Sequence, residues 1–250
     1  MGTITLQQFF AEHDRAALAF SGGVDSAYLL YAAKAYGADV GAYYVKTPFQ
    51  PQFEYEDAIL LARQLDVPMT VLELDVLVDP DIAANPQNRC YYCKKRIFTA
   101  ICEAAAKDGF PCILDGTNAS DDASDRPGMQ ALEELQVRSP LRECGLTKAQ
   151  IRALSKEAGL FTHDKPAYAC LATRIPTGTP ITRQQLAVTE RSEELLKRLG
   201  FSDFRIRLLG SAARVQLPEA QLPLLLQHRE TILAELKQDY SAVLLDLEVR

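Results

Sequence analysis

Short apolar runs alternate with amphipathic stretches through the first half of the chain. Ala16–Phe20 reads as a buried strand that passes through Ser21-Gly22-Gly23 into a helical segment, Asp25 to Tyr36, stopped at Gly37. Asp39–Val45 is a second strand, Glu54–Leu65 has helical apolar spacing, and Met69–Leu74 follows Pro68 as a third strand. This alternation with short joints predicts right-handed parallel crossovers. Further on, a helix running to about Lys107, a short strand Pro111–Leu114 and a last strand Val137–Leu141 are expected. Thr147 caps a helix, Lys148–Ala158, that stops at Gly159. The polar stretch Ala119–Gly128 reads as a mobile loop.

The pattern breaks over Phe161–Thr182, a proline- and threonine-rich linker. Thr182 and Gln185 then form a capping box for a helix to Leu199. Phe204–Leu209 and Ala212–Leu217 are strands joined by Gly210-Ser211, a pair suited to a two-residue hairpin turn. That turn sets Arg207 opposite Arg214 and Arg205 opposite Gln216, with Phe204, Ile206, Leu208, Ala213, Val215 and Leu217 all on the other face. A one-residue slip would turn one apolar set outward, so the register is well specified. Pro218 opens a leucine-rich helical stretch, and Ala242–Leu247 reads as a closing strand. The expectation is an α/β, doubly wound parallel-sheet domain over 1–165, followed by a small α+β domain over 166–250.

Composition adds bounds. At 250 residues, 48% hydrophobic and 24% charged, the chain is that of an ordinary soluble globular protein. No apolar run approaches the roughly eighteen residues of a membrane span. Met1–Asp14 lacks a signal-peptide core, which predicts a cytoplasmic location. A net charge of −6 argues against nucleic acid as the main partner. The six cysteines are expected as reduced thiols or metal ligands.

The candidate chemistry starts at the first strand's end. A strand, a glycine turn and a helix N-terminus present unpaired N–H groups and a favourable dipole to an anion. No Gly-Lys-Ser/Thr follows, so this is not a Walker loop. Ser21-Gly22-Gly23-Val24-Asp25-Ser26 instead matches the PP-loop of ATP pyrophosphatases, which cleave ATP between its α and β phosphates and adenylate a substrate. Asp115-Gly116-Thr117 places polar groups at another strand's carboxyl end.

The whole chain resembles the LarE family of PP-loop sulfur transferases. The matching residues are Ser21–Ser26, Arg89-Cys90-x-x-Cys93-Lys94, Asp115–Asn118 with Arg126-Pro127-Gly128, Arg138–Leu141 with Gly145–Lys148, and Lys165-Pro166-Ala167-x-x-Cys170-Leu171-Ala172-x-Arg174. The resemblance implies an adenine nucleotide alpha hydrolase-like fold and a dicarboxylated pyridinium mononucleotide as substrate. Its carboxylates would be adenylated and converted to thiocarboxylates, toward a nickel-pincer nucleotide cofactor. It also implies ATP and Mg²⁺, with Asp25 and Asp115 as candidate ligands, a homo-oligomer, and other enzymes of the same pathway as partners. Rival classes are a PP-loop tRNA thiolase, a PP-loop amidating synthetase and a nucleotide-sensing module.

Sulfur remains open at this point. Family members with only the linker cysteine surrender its sulfur, a role that falls here on Cys170. Cys90 and Cys93 with Cys170 also make a three-cysteine [4Fe–4S] set, with one iron free for an extra sulfide. A partial zinc site or a redox pair is the third alternative. Arg207 facing Arg214 is an unfavourable cross-strand pair unless an anion lies between them. Arginine binds phosphate and carboxylate through a planar fork. Arg205, Arg207 and Arg214, with Arg174, are therefore expected to form the substrate's anion site; a solvated basic face is the alternative.

Overall fold

The computed structural model, which describes residues 4–121 and 127–248, builds its first unit on four parallel strands. These are β1 (Arg15–Ala19), β2 (Asp39–Lys46), β3 (Met69–Glu73) and β4 (Ile113–Leu114), in the order β3-β2-β1-β4. Alternation along the strands divides two cores. Ala16, Leu18, Ala42 and Tyr44 pack on one face with α1 (Leu6–Glu12), α2 (Val24–Ala35) and α3 (Gln52–Gln64). Ala17, Tyr43 and Val45 point to the other face and meet Phe98, Ile101, Ala105 and Leu132. A short α4 (Pro80–Ala83) precedes the helices of that second face, α5 (Arg89–Lys107) and α6 (Pro127–Glu134).

Strands β1 to β3 run outward in one direction, and β4 lies on the opposite side of β1. The order therefore reverses between β1 and β4. Ligands of open α/β sheets bind at such a switch point, beyond the strands' carboxyl ends.

Three sequence expectations need correction. The strand expected over Val137–Leu141 is a single bridge, Arg138 to Leu114, because Ser139-Pro140 turns the chain into α7 (Pro140–Glu143). Proline lacks the N–H that a strand would donate, and its fixed φ suits a helix's first turn. Helix α1 was not anticipated, although Thr5 and Gln8 form a complete capping box at its start. The loop expected over Ala119–Gly128 lies partly outside the described residues, as does Arg126, and Pro127 and Gly128 already open α6. Helix α8 (Lys148–Glu157) completes this unit.

The second unit is a three-stranded sheet against helices. Strands β5 (Arg205–Leu209) and β6 (Ala212–Gln216) form the hairpin in the register that the apolar alternation predicts. Gly210 at φ +61 supplies the positive φ at the turn's first central position. Strand β7 (Val243–Leu245) pairs parallel to β6. Leu196 of α9 (Arg183–Arg198), Ile206, Val215 and Ile232 lie in its core, and α10 (Leu222–Gln227) and α11 (Arg229–Leu236) follow the hairpin.

Leu77–Gln87 belongs to this unit with the chain from Pro166 onward, while the chain through Val76 and Asn88–Lys165 form the first. The expectation drew one boundary at 165/166; the chain instead passes between units three times. Buried Asn85 ties the segment in. Its Nδ2 donates to the carbonyls of Pro176 at 2.9 Å and Thr179 at 3.1 Å. No helix among the described residues is long and apolar enough to cross a membrane.

Candidate active site

In the first unit, the loop after β1 and the turn after β4 interlock at the switch point. Gly22 has φ +71, and a Cβ there would come within 3.0 Å of Ala58 Cβ on α3. Gly23 is the extended N-cap of α2 and offers no side-chain cap, so the helix's first N–H groups keep their capacity for a ligand. Ser26 Oγ donates to Gly23 O at 3.2 Å and accepts from Ser21 N at 3.3 Å, which holds the loop's curve. A Cβ on Gly116 would lie 3.0 Å from Ser26 N. A side chain at either glycine would thus press on neighbouring backbone where the two strand ends meet.

Val24 and Ser26 are buried, and Asp25 between them turns toward polar partners. Its carboxylate accepts from Asn118 Nδ2 at 3.4 Å and pairs with Lys148 Nζ from the first residue of α8. Asp115 is buried and accepts from Ser139 Oγ at 2.6 Å, from Thr117 N at 3.3 Å and from Thr117 Oγ1. Three of its roughly four acceptor positions are therefore occupied. Asp25 is the more open carboxylate, and its lysine partner can exchange for another cation. Ser21–Ser26, Asp115, Gly116 and Thr117 are thus gathered at one place. The partners Asn118, Ser139 and Lys148 were named in the motifs without a role; Lys148 at a capped helix start was the signal for one.

Cys90 and Cys93 lie one turn apart at the start of α5; Cys90 is exposed and Cys93 half-buried. Arg89 Nη2 is 3.9 Å from Cys90 Sγ, which puts a cation beside that sulfur. Cys102, Cys112 and Cys144 of this unit are partly buried. Burial pushes the thiols of Cys102 and Cys112 up, and that of Cys144 up to about 11. Among the described residues, no three His, Cys, Asp or Glu side chains are gathered as a metal site.

Cys170 belongs to the second unit, just before a 3-10 turn, Leu171–Arg174. The arginines expected to share one anion site divide into two pairs. Arg174 is 1% exposed and binds Glu193 through Nε at 2.7 Å and Nη2 at 3.0 Å. Arg205 is also buried, with its donors on the carbonyls of Phe204 and Ala167, each at 2.5 Å. Arg207 and Arg214 face each other as expected and are both partly exposed.

An internal carboxylate joins the facing arginines. Arg207 Nε donates to Gln216 Oε1 at 2.6 Å, Gln216 Nε2 donates to Asp246 Oδ2 at 2.8 Å, and that oxygen lies 3.4 Å from Arg214 Nε. Sequence reasoning missed Asp246, because nothing local marks a residue beyond β7 as the counter-ion of β6. The Gln216 hydrogen bond, followed by the Glu248 N–H and the charges of Arg214 and Arg207, holds its carboxyl below the ordinary range. A lowered carboxyl stabilises the fold above its ordinary pKa and loses that contribution as pH falls. Asp246→Asn is therefore expected to melt below the wild type near pH 7. In thermal melts the gap should narrow as pH falls from the ordinary carboxylate range through the lowered folded value; a gap that does not change with pH would remove the ionic part of the account.

No family model matches the chain. An uncharacterized protein of Synechocystis sp. is 38% identical over 97% of this chain and 92% of its own length. The pyridinium-3,5-bisthiocarboxylic acid mononucleotide synthase of Lactiplantibacillus plantarum is 34% identical over 87% of this chain and 80% of its own. Similarity to the tRNA-specific 2-thiouridylase MnmA 2 of Clostridium botulinum is 30% and reaches only 60% of this chain and 51% of that protein. The length and level of the second match, on a chain whose glycine loop and cysteines are placed as above, settle the family: the chain belongs to the LarE family of PP-loop sulfur transferases.

Proposed function

We propose that the protein uses ATP to adenylate the carboxylates of pyridinium-3,5-biscarboxylic acid mononucleotide and converts them to thiocarboxylates, for a nickel-pincer nucleotide cofactor. The observation that carries this reading is the switch-point loop, where uncapped helix N–H groups, Asp25 and Lys148 converge. A carboxylate lacks a leaving group. Attack of its oxygen on the α-phosphorus of ATP forms an acyl adenylate and releases pyrophosphate. Sulfur then attacks the acyl carbon, a C–S bond forms and AMP leaves.

The loop N–H groups and Ser21 would bind the phosphates. Asp25 suits Mg²⁺, a cation matched to carboxylate and phosphate oxygens. Lys148, the ion-pair partner of Asp25, would offset negative charge on the phosphates. Arg207 and Arg214, the partly exposed pair, would meet the substrate's anionic groups, and Arg174 and Arg205 brace them from within. The family resemblance assigns a [4Fe–4S] cluster to Cys90, Cys93 and Cys170; Cys90 and Cys93, one turn apart on α5 with Arg89 beside Cys90, would offer it two thiolates. Such a cluster would furnish sulfide as the sulfur nucleophile.

A tRNA thiolase is the less favoured reading, since that likeness covers half of the relative and the net charge is −6. The test is product analysis with ATP, Mg²⁺ and the biscarboxylated mononucleotide. Pyrophosphate and AMP are expected, and Asp25→Ala should lower their release at least a hundredfold while circular dichroism stays native. ADP and orthophosphate from the wild type would sink the assignment.

A further inference from the structure

Several side chains hold the backbone around Cys170. Arg205 Nη2 donates to Ala167 O at 2.5 Å and Arg174 Nη1 to Ala169 O at 3.1 Å. Thr173 donates to Cys170 O through its N at 3.0 Å and its Oγ1 at 2.9 Å. Arg174 Nη1 donates to that same Oγ1 at 2.8 Å, and Arg207 Nη1 to Thr173 O at 2.7 Å. These bonds converge on one buried carboxylate. Glu193 Oε1 accepts from Arg174 Nε and, at 2.9 Å, from Ile206 N of β5; Oε2 accepts from Arg174 Nη2 and, at 2.6 Å, from Tyr168 Oη. All four acceptor positions are filled. The Tyr168 ring also lies against both guanidiniums, 4.6 Å from Arg174 and 5.0 Å from Arg205.

A buried ion pair is a weak way to gain stability, because desolvation offsets most of the attraction. This pair does something an apolar substitute would not. Its remaining donor, Arg174 Nη1, reaches Ala169 O before the cysteine and Thr173 Oγ1 after it, and Ile206 N fixes its carboxylate to the sheet. We propose that Glu193 is a positioning residue for Cys170: through Arg174, Thr173 and Tyr168 it holds the thiol in a single place on the second unit. The functional meaning rests on the reading above, in which Cys170 takes part in sulfur transfer as ligand or as donor.

The test compares wild type with Tyr168→Phe, which removes one bond to Glu193 and keeps the ion pair, and with Glu193→Gln. Cys170 alkylation by iodoacetamide is timed by peptide mass spectrometry, with iron chelated in every sample and Cys102 as internal reference. Below the melting transition, both variants are expected to label Cys170 at least threefold faster, with Cys102 unchanged. Thiocarboxylate yield should fall at least tenfold while pyrophosphate release stays within twofold. Wild-type labelling of Cys170 in the folded variants would overturn the proposal, and Tyr168→Phe decides alone if Glu193→Gln does not fold. Faster labelling in a protein whose wild type releases no pyrophosphate would keep the positioning role and reject the sulfur-transfer reading.

Discussion

Glu193→Ala is expected to lose about 3–5 kcal/mol of stability, because it leaves the Arg174 guanidinium in the core without a counter-charge. Both side chains are almost fully enclosed, at 2% and 1% exposure, so water cannot take over the lost bonds. Domains of this size are stable by roughly 5–15 kcal/mol in total, so the loss is a large share. Urea denaturation followed by circular dichroism measures it. The double variant Glu193→Leu/Arg174→Met removes both charges at similar volume and is expected to recover most of the deficit. It should not recover sulfur transfer, since no donors would remain for Ala169 O and Thr173 Oγ1. A single variant within about 1 kcal/mol of wild type would mean that solvent reaches the guanidinium.

The second large effect concerns sulfur. Anaerobically reconstituted wild type is expected to hold about four irons per chain, with the broad visible absorption of a thiolate-bound cluster. Cys90→Ser, Cys93→Ser and Cys170→Ser should each lose most of that iron and all repeated turnover, while pyrophosphate release persists. Cys102→Ser should keep both, because burial raises that thiol and leaves it a poor ligand. The contrary result is equally sharp. If Cys90→Ser forms as much thiocarboxylate as wild type and Cys170 loses sulfur during reaction, leaving dehydroalanine, the linker cysteine is consumed and the pair on α5 serves another purpose.

Local pattern made much of this legible. The continuous apolar run Ala16–Phe20 and the strand–helix alternation with short joints predicted a parallel sheet, and Gly210-Ser211 specified the hairpin's register because a slip would turn one strand's three apolar side chains outward. The glycine loop was readable since only glycine permits φ +71 beside Ala58. What escaped was set by distant partners. Two arginines opposite each other imply an anion, but only the fold brings Asp246 to them. Glu193 did leave a trace: it falls on the buried stripe of α9 with Leu186, Thr189 and Leu196, a charged residue where the helix faces inward. Arg174 as its partner was beyond reach, since guanidinium and carboxylate pairing across a linker has no local signature. Val137–Leu141 misled because its apolar ends resemble a strand, whereas Pro140 decides the backbone.

The assignment of Leu77–Gln87 to the second unit bears on how the chain is made. This segment leaves the ribosome before all of Asn88–Lys165, and its partners Pro176, Gly178 and Thr179 come later still. At roughly 5–20 residues per second, synthesis keeps it waiting for several seconds. Ile82 and Asn85, both enclosed in the finished protein, have no native cover during that interval. A sheet domain interrupted by a borrowed segment also cannot be separated at a single cut. Expressing residues 166–250 alone omits a piece of its own interior, and a fragment ending at Lys165 carries that piece with nothing to receive it.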